Sequence, residues 1–162
     1  LGTPVSQQTI NELIWRLEYN PFQNNNVSFL SAFAHCQING FCKIPHDQAV
    51  LIIAAGLQNT GTDNSLKAEI YKLLAQYFIS VISDFEKGEE FMQQATTLHD
   101  DVNGRLIFAQ LYRLQGKIAQ AKEQLQKAKQ LDHNKVWVKE IAIEQRNIDN
   151  IMRSETKVKH EN

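Results

Sequence analysis

Three prolines and seven glycines are all the backbone punctuation this chain carries. Most of them fall between apolar-periodic segments, as in helical bundles and solenoids. No segment sustains the period-two alternation of a strand, so no sheet is expected. No apolar run approaches the roughly 20 residues that cross a bilayer; the longest, Ala49 to Ala55, reads as a face of a buried helix. A charge of one sign is also missing: 17 basic and 18 acidic residues leave a net −1, which is no footprint for nucleic acid. Only the C-terminal end leans basic (Lys135, Lys139, Arg146, Arg153, Lys157, Lys159). Glu140, Glu144 and Asp149 dilute that lean into a solvated helix face. Gly-rich phosphate loops, nucleophile-elbow serines and helix-borne metalloprotease motifs are absent as well, so neither enzymatic activity nor a cofactor is expected. The opening Leu1-Gly2-Thr3-Pro4 does not read as a signal peptide; without a methionine it reads as a mature or excised piece of a longer protein.

What is present is helical period. About eight helices are expected, forming a single all-α domain over 1–153 with a flexible tail at 154–162. Thr9 and Glu12 form a capping box ahead of the stripe Ile10, Leu13, Ile14 and Leu17, and Asn20-Pro21 ends that helix. Phe29, Leu30, Phe33 and Ala34 mark a second helix to about Ile38, broken at Asn39-Gly40. Pro45 opens a third through Leu57. Thr60-Gly61-Thr62 is a loop, followed by a fourth helix from about Ser65 to Ile82. Ser83 with Glu86 reads as a capping box for a fifth helix to Leu98. The sixth runs from about Val102 to Gln115, with Gly116 as its left-handed cap, the seventh over Ile118–Leu131 and the eighth over about Lys135–Arg153. His99-Asp100-Asp101 falls at a turn, where acidic side chains bond local amides. Glu89-Glu90 lies in a first helical turn, where negative charge suits the dipole. Trp15 and Trp137 sit among apolar helical positions and read as core.

The strongest signal is an internal repeat. Between Val102 and Lys135, Phe108, Ala109, Tyr112, Gly116, Ala121, Leu125, Ala128 and Leu131 recur at a spacing with a physical meaning. Small Ala109 and Ala121 let two antiparallel helices approach, Tyr112 and Leu125 fill the wedge, and Gly116 makes the reversal. Stepping back 34 residues, Tyr71, Leu74, Ala75 and Phe78 match Arg105, Phe108, Ala109 and Tyr112. The second helix matches with a one-residue slip that sets Gly88, Met92 and Ala95 against Ala121, Leu125 and Ala128. Its inter-helix loop is therefore one residue longer. These residues resemble tetratricopeptide repeats over 102–135 and 68–101, with 6–58 as a degenerate helical cap and 135–153 as a capping helix. The resemblance implies a right-handed α-α superhelix, since one such hairpin cannot bury its own apolar face, and a protein or peptide as the partner. The groove it implies is lined by Glu69, Lys72, Gln76, Asn103, Gln110 and Arg113. Lys72 matches one lysine of the carboxylate clamp that grips chaperone tails in this family, but Gln76 and Ile107 stand where its asparagines would be.

A second resemblance rests on Asn20-Pro21-Phe22, Leu30-Ser31-Ala32-Phe33-Ala34-His35-Cys36 and Gly40-Phe41-Cys42, followed by the two repeats. Together these resemble the soluble C-terminal tail of bacterial polytopic membrane glycosyltransferases and O-antigen polymerases or ligases. The resemblance implies a site on the periplasmic face of the inner membrane, in envelope glycan assembly, with the parent's own membrane domain or a glycan as further partners. It also implies a disulfide between Cys36 and Cys42, contributing about 2.4 kcal/mol on the chain-entropy model. A cytoplasmic adaptor with two reduced, packed thiols is the alternative. Zinc on His35, Cys36, Cys42 and His46 is a third reading, although the five-residue gap exceeds the usual two to four. The last helix carries Trp137, Ile141, Ile148 and Met152 at near-heptad spacing, either a seal on the end of the array or a dimerisation face over 136–153.

Overall fold

The computed structural model describes Ser6, Gln8, 26–41 and 44–160; for 26–28, 58–59 and 155–160 it describes the backbone alone. These residues form seven α-helices: α1 (Asn26–Ile38), α2 (His46–Ala55), α3 (Asn64–Tyr77), α4 (Phe85–Leu98), α5 (Val102–Leu114), α6 (Ile118–Leu131) and α7 (Val138–His160). A 3₁₀ turn at Gly56–Asn59 follows α2, and a π turn at Phe78–Ile82 follows α3. No described residue lies in a strand, so the chain is all-α over this range. The expected first helix, with Trp15, lies outside the described residues. The chain divides into two compact units, 1–99 and 100–162.

In the first unit, α1 and α2 both pack on α3. Leu30, Phe33, Ala34, Ile52, Ile53, Ile70, Leu74 and Tyr77 form the buried cluster between them. Helix α1 stops at a Schellman motif. Gly40 takes φ +72°, its amide donates to the Gln37 carbonyl at 3.1 Å, and the Phe41 amide reaches back to the Cys36 carbonyl at 2.9 Å. These bonds occupy carbonyls that the helix end leaves unpaired. Pro45 precedes α2 as its N-cap, one residue earlier than the first-turn position expected, and its carbonyl accepts from the Ala49 amide at 2.9 Å. Asp63 caps α3, its carboxylate accepting from the Ser65 and Leu66 amides at 2.9 and 3.0 Å.

Helices α3 and α4 pack closely as one hairpin, and α5 and α6 as another. The short connections make both antiparallel. The positions assigned from the repeat occupy matching places: Gly88, Met92 and Ala95 in α4 and Ala121, Leu125 and Ala128 in α6 are all buried. The slip of one residue has a structural cause. At the end of α5, Gly116 at φ +72° completes a Schellman motif in which the Lys117 amide donates to the Tyr112 carbonyl, five residues back. At the end of α3 the equivalent amide, Asp84, reaches the Phe78 carbonyl six residues back. The extra residue is absorbed in the π turn, the usual way a helix accommodates an insertion.

This π turn also corrects the capping box expected at Ser83 and Glu86. Ser83 is the left-handed residue that closes the turn, at φ 61° and ψ 27°. The N-cap of α4 is Asp84, whose carboxylate accepts from the Lys87 amide at 3.0 Å. A left-handed conformation disfavours any residue with a Cβ by about 1 kcal/mol. Ser83→Gly is therefore expected to raise stability by about 0.5–1 kcal/mol and Gly116→Ala to lower it by about 1 kcal/mol. Paired urea melts of the two variants check both signs.

In the second unit, Asp101 caps α5 through the Gly104 amide at 2.6 Å. Arg105 grips Asp100 with two nitrogens, each at 2.7 Å, and gives a third to the buried Gln124 amide of α6 at 2.8 Å. Asp100 and Asp101 of the His99-Asp100-Asp101 turn are thus engaged in holding the start of α5. Helix α7 lies against both α5 and α6. Ile141 and Ile148 of its expected stripe are buried, Trp137 is half-buried and Met152 is exposed. It begins at Val138 and not near Lys135, because Lys135 itself takes φ 54° and Asp132 accepts from the Val136 and Trp137 amides. It continues to His160, past Arg153, since no glycine or proline interrupts that stretch.

Candidate interaction surfaces

Glu69, Lys72 and Gln76 lie on α3 of the first unit. Lys72 does not face solvent: its side chain is 2% exposed and its ammonium meets the Glu69 carboxylate at 2.6 Å. One helical turn separates the two residues, so the pair closes along the helix. Gln76 is half-buried. Asn103, Gln110 and Arg113 lie on α5 of the second unit, all half-buried. The Arg113 guanidinium is held by Glu144 of α7 at 2.6 Å, with the two side chains 16% and 11% exposed. Both cationic residues expected to line a groove are therefore tied to carboxylates of their own unit. Gln76, Asn103 and Gln110 offer neutral polar groups. Ile107 is buried.

Cys36 lies near the end of α1, next to a polar network in the first unit. Cys36 is disulfide-bonded; the chain's other cysteine, Cys42, lies outside the described residues. A sulfur in a disulfide is not a thiolate, so Cys36 is not available as a zinc ligand. His35 bonds the Ser31 carbonyl at 2.7 Å, and His46 bonds the Tyr77 hydroxyl through Nδ1 at 2.8 Å. Beside Cys36, the Gln37 amide clips the Ile44 backbone from both sides, donating to its carbonyl at 2.9 Å and accepting from its N–H at 3.2 Å. The α1–α2 connection is thereby held by a buried amide as well as by the glycine turn.

Burial raises the Tyr77 hydroxyl pKa above its ordinary value, and a hydrogen bond with Gln37 pulls in the opposite direction. A phenol whose folded pKa lies above its unfolded one, near 10, contributes stability that is complete below about pH 10 and is lost as pH rises through the folded value. Stability is expected to fall above about pH 10. Tyr77→Phe is expected to flatten that limb of the pH profile while lowering stability near neutrality by about 1 kcal/mol for the lost hydrogen bonds. Urea midpoints across an alkaline pH series measure both.

A third surface lies within the second unit and includes part of 136–153, the stretch expected to seal the array or to form a dimerisation face. Lys129 and Asp132 at the end of α6, Lys135 in the connection, and Val138, Ile141, Ala142 and Gln145 on α7 line an open groove of about 560 Å³. The left-handed Lys135 sets where α7 starts and so creates the groove, but nothing about a lysine marks it for that conformation.

No family model matches the chain, and no curated protein or solved structure is significantly similar to it. Among the described residues no helix is long and apolar enough to cross a membrane.

Proposed function

We propose that this chain is a non-catalytic interaction module of tetratricopeptide type, the extracytoplasmic C-terminal domain of a bacterial membrane protein in envelope glycan assembly. The observation that carries the module reading is the pair of helical hairpins whose small and large residues fall at matching buried positions one repeat apart. Stacked hairpins of this kind present helix faces that hold a protein or peptide. Gln76, Asn103 and Gln110 remain the candidate contact residues. Lys72 is paired with Glu69 in the first unit, and Arg113 with Glu144 in the second.

The placement outside the cytoplasm is supported by the disulfide at Cys36, because such bonds persist in oxidising compartments. Thiol labelling of unreduced protein from its native compartment, followed by mass spectrometry of the peptides carrying Cys36 and Cys42, tests it. A disulfide-linked peptide pair is expected. Two freely alkylated thiols would overturn the envelope placement and leave a cytoplasmic adaptor. The module reading is tested separately with photo-crosslinking residues at Gln76 and Gln110 in the full-length parent. Crosslinks are expected to the parent's membrane domain or to another envelope protein. Crosslinks to glycan alone would replace protein contact with substrate contact.

A further inference from the structure

The groove between the end of α6 and the start of α7 has a chemistry of its own. Buried Ile141 forms its floor, and the exposed Val138 and Ala142 form its apolar wall. Two lysines and one carboxylate, Asp132, line it, so the rim is positive on balance. The Lys129 ammonium donates to the Gln145 side-chain oxygen, a neutral acceptor, at 3.1 Å. Lys135 is exposed in the connection. The one carboxylate in the lining, Asp132, has both oxygens occupied by the Val136 and Trp137 amides at 2.9 and 3.1 Å. The surrounding segment is basic on balance: 117–145 contains six lysines (117, 122, 127, 129, 135 and 139) against four carboxylates, Glu123, Asp132, Glu140 and Glu144. Glu123 is already paired with Lys127 at 2.7 Å.

An apolar concavity of this volume is the right size for side chains of a partner, and the excess of ammonium over carboxylate at its edge selects an anionic one. We propose that this groove docks an acidic peptide segment, with apolar side chains seated on Val138, Ile141 and Ala142 and carboxylates set against Lys129 and Lys135. The concave shape favours a peptide over a flat anionic membrane, which would meet the rim but leave the floor uncovered. The inference rests on the interaction-module reading but assigns binding to a different surface from the polar faces of α3 and α5.

The test is an NMR titration of the ¹⁵N-labelled chain with an end-blocked peptide of alternating leucine and glutamate, alongside its leucine–glutamine analogue. Shifts are expected at the Lys129, Ala142 and Gln145 amides with the glutamate peptide and not with the analogue. The pair of substitutions Lys129→Gln and Lys135→Asn is expected to weaken binding about tenfold; asparagine tolerates the left-handed backbone at 135. Ala142→Glu, at an exposed position, is expected to abolish binding with the fold intact by circular dichroism. Equal binding of the glutamine analogue would overturn the anionic selectivity, and absence of shifts at the groove would overturn the site. Shifts confined to α3 and α5 would overturn the groove while leaving the module reading standing. Phosphatidylglycerol vesicles that shift the groove amides when the peptide does not would replace the peptide with a membrane surface.

Discussion

Leu30→Ala is expected to lower stability by about 3 kcal/mol, within the range of 2–5 kcal/mol for truncating a buried leucine. Leu30 is 0% exposed and lies in the cluster that joins α1, α2 and α3. Its Cδ1 atom, with Ile70 Cδ1, occupies the space that a side chain on Gly56 would need: a Cβ there would lie 3.0 Å from Ile70 Cδ1 and closer still to Leu30 Cδ1. Gly56 has an ordinary right-handed conformation, φ −58° and ψ −30°, so its backbone would suit alanine, which gains about 1 kcal/mol in a helix over glycine. The steric term opposes that gain. Both contacting atoms are ends of flexible side chains, but Leu30 and Ile70 are each 0% exposed, so any rotation must be taken up within the core. Gly56→Ala is therefore expected to lower stability by about 1–2 kcal/mol through overpacking. In the double variant the new methyl enters the space that Leu30 vacates. The combined loss should fall short of the sum of the single losses by about 1 kcal/mol, a coupling expected of residues in contact. Urea denaturation of the four proteins measures it, with hydrogen exchange of α1–α3 amides to localise the loss. Additive effects within about 0.3 kcal/mol would show that the two side chains do not share that space.

The elements legible in the sequence were those whose cause is local. Gly40 and Gly116 were readable as helix ends because glycine alone takes positive φ without strain, and the structure places both there. Six of the seven described helices start or stop within a few residues of a visible cap, glycine or proline. The misreadings share a different cause. At Ser83 two overlapping patterns compete, serine with Glu86 and Asp84 with the Lys87 amide, and the π turn decides between them by adding one residue before the cap. That insertion is visible only once Phe78 is paired with Tyr112 across the repeats. The repeat resemblance sets Lys72 on a groove-lining helix, yet a long aliphatic stem can be buried when its ammonium finds a carboxylate, and Glu69 supplies one a turn away. The α6–α7 groove depends on where α7 begins, which is set by a left-handed lysine and a doubly accepting Asp132, neither of which has a sequence signature. Both halves of the functional reading inherit this asymmetry: the repeat is written in residue spacing, whereas the contact surfaces depend on which side chains the tertiary packing leaves uncommitted.

Arg113 and Glu144 show what that commitment is worth. They join α5 to α7 through a bond of 2.6 Å, and Asn147 donates to the second Glu144 oxygen at 3.4 Å. Removing one partner of a mostly buried pair leaves the other charge in a poor environment, which for fully buried pairs costs 3–5 kcal/mol. Here each side chain keeps some access to water, at 16% and 11% exposure, so Glu144→Ala is expected to lower stability by about 2–3 kcal/mol. Glu144→Gln retains an acceptor for the guanidinium and is expected to cost about 1 kcal/mol. Replacing both residues by apolar ones, Arg113→Met with Glu144→Leu, removes the stranded charge along with the pair and is expected to restore most of the loss. The double variant separates two roles that Arg113 could have. If Arg113 acts mainly by anchoring α7, crosslinking from Gln110 and α7 hydrogen-exchange protection should recover together in the double variant. If Arg113 touches a partner directly, protection should recover while crosslinking from Gln110 stays lost. A Glu144→Ala variant with unchanged stability and unchanged α7 protection would show that the pair holds nothing in place.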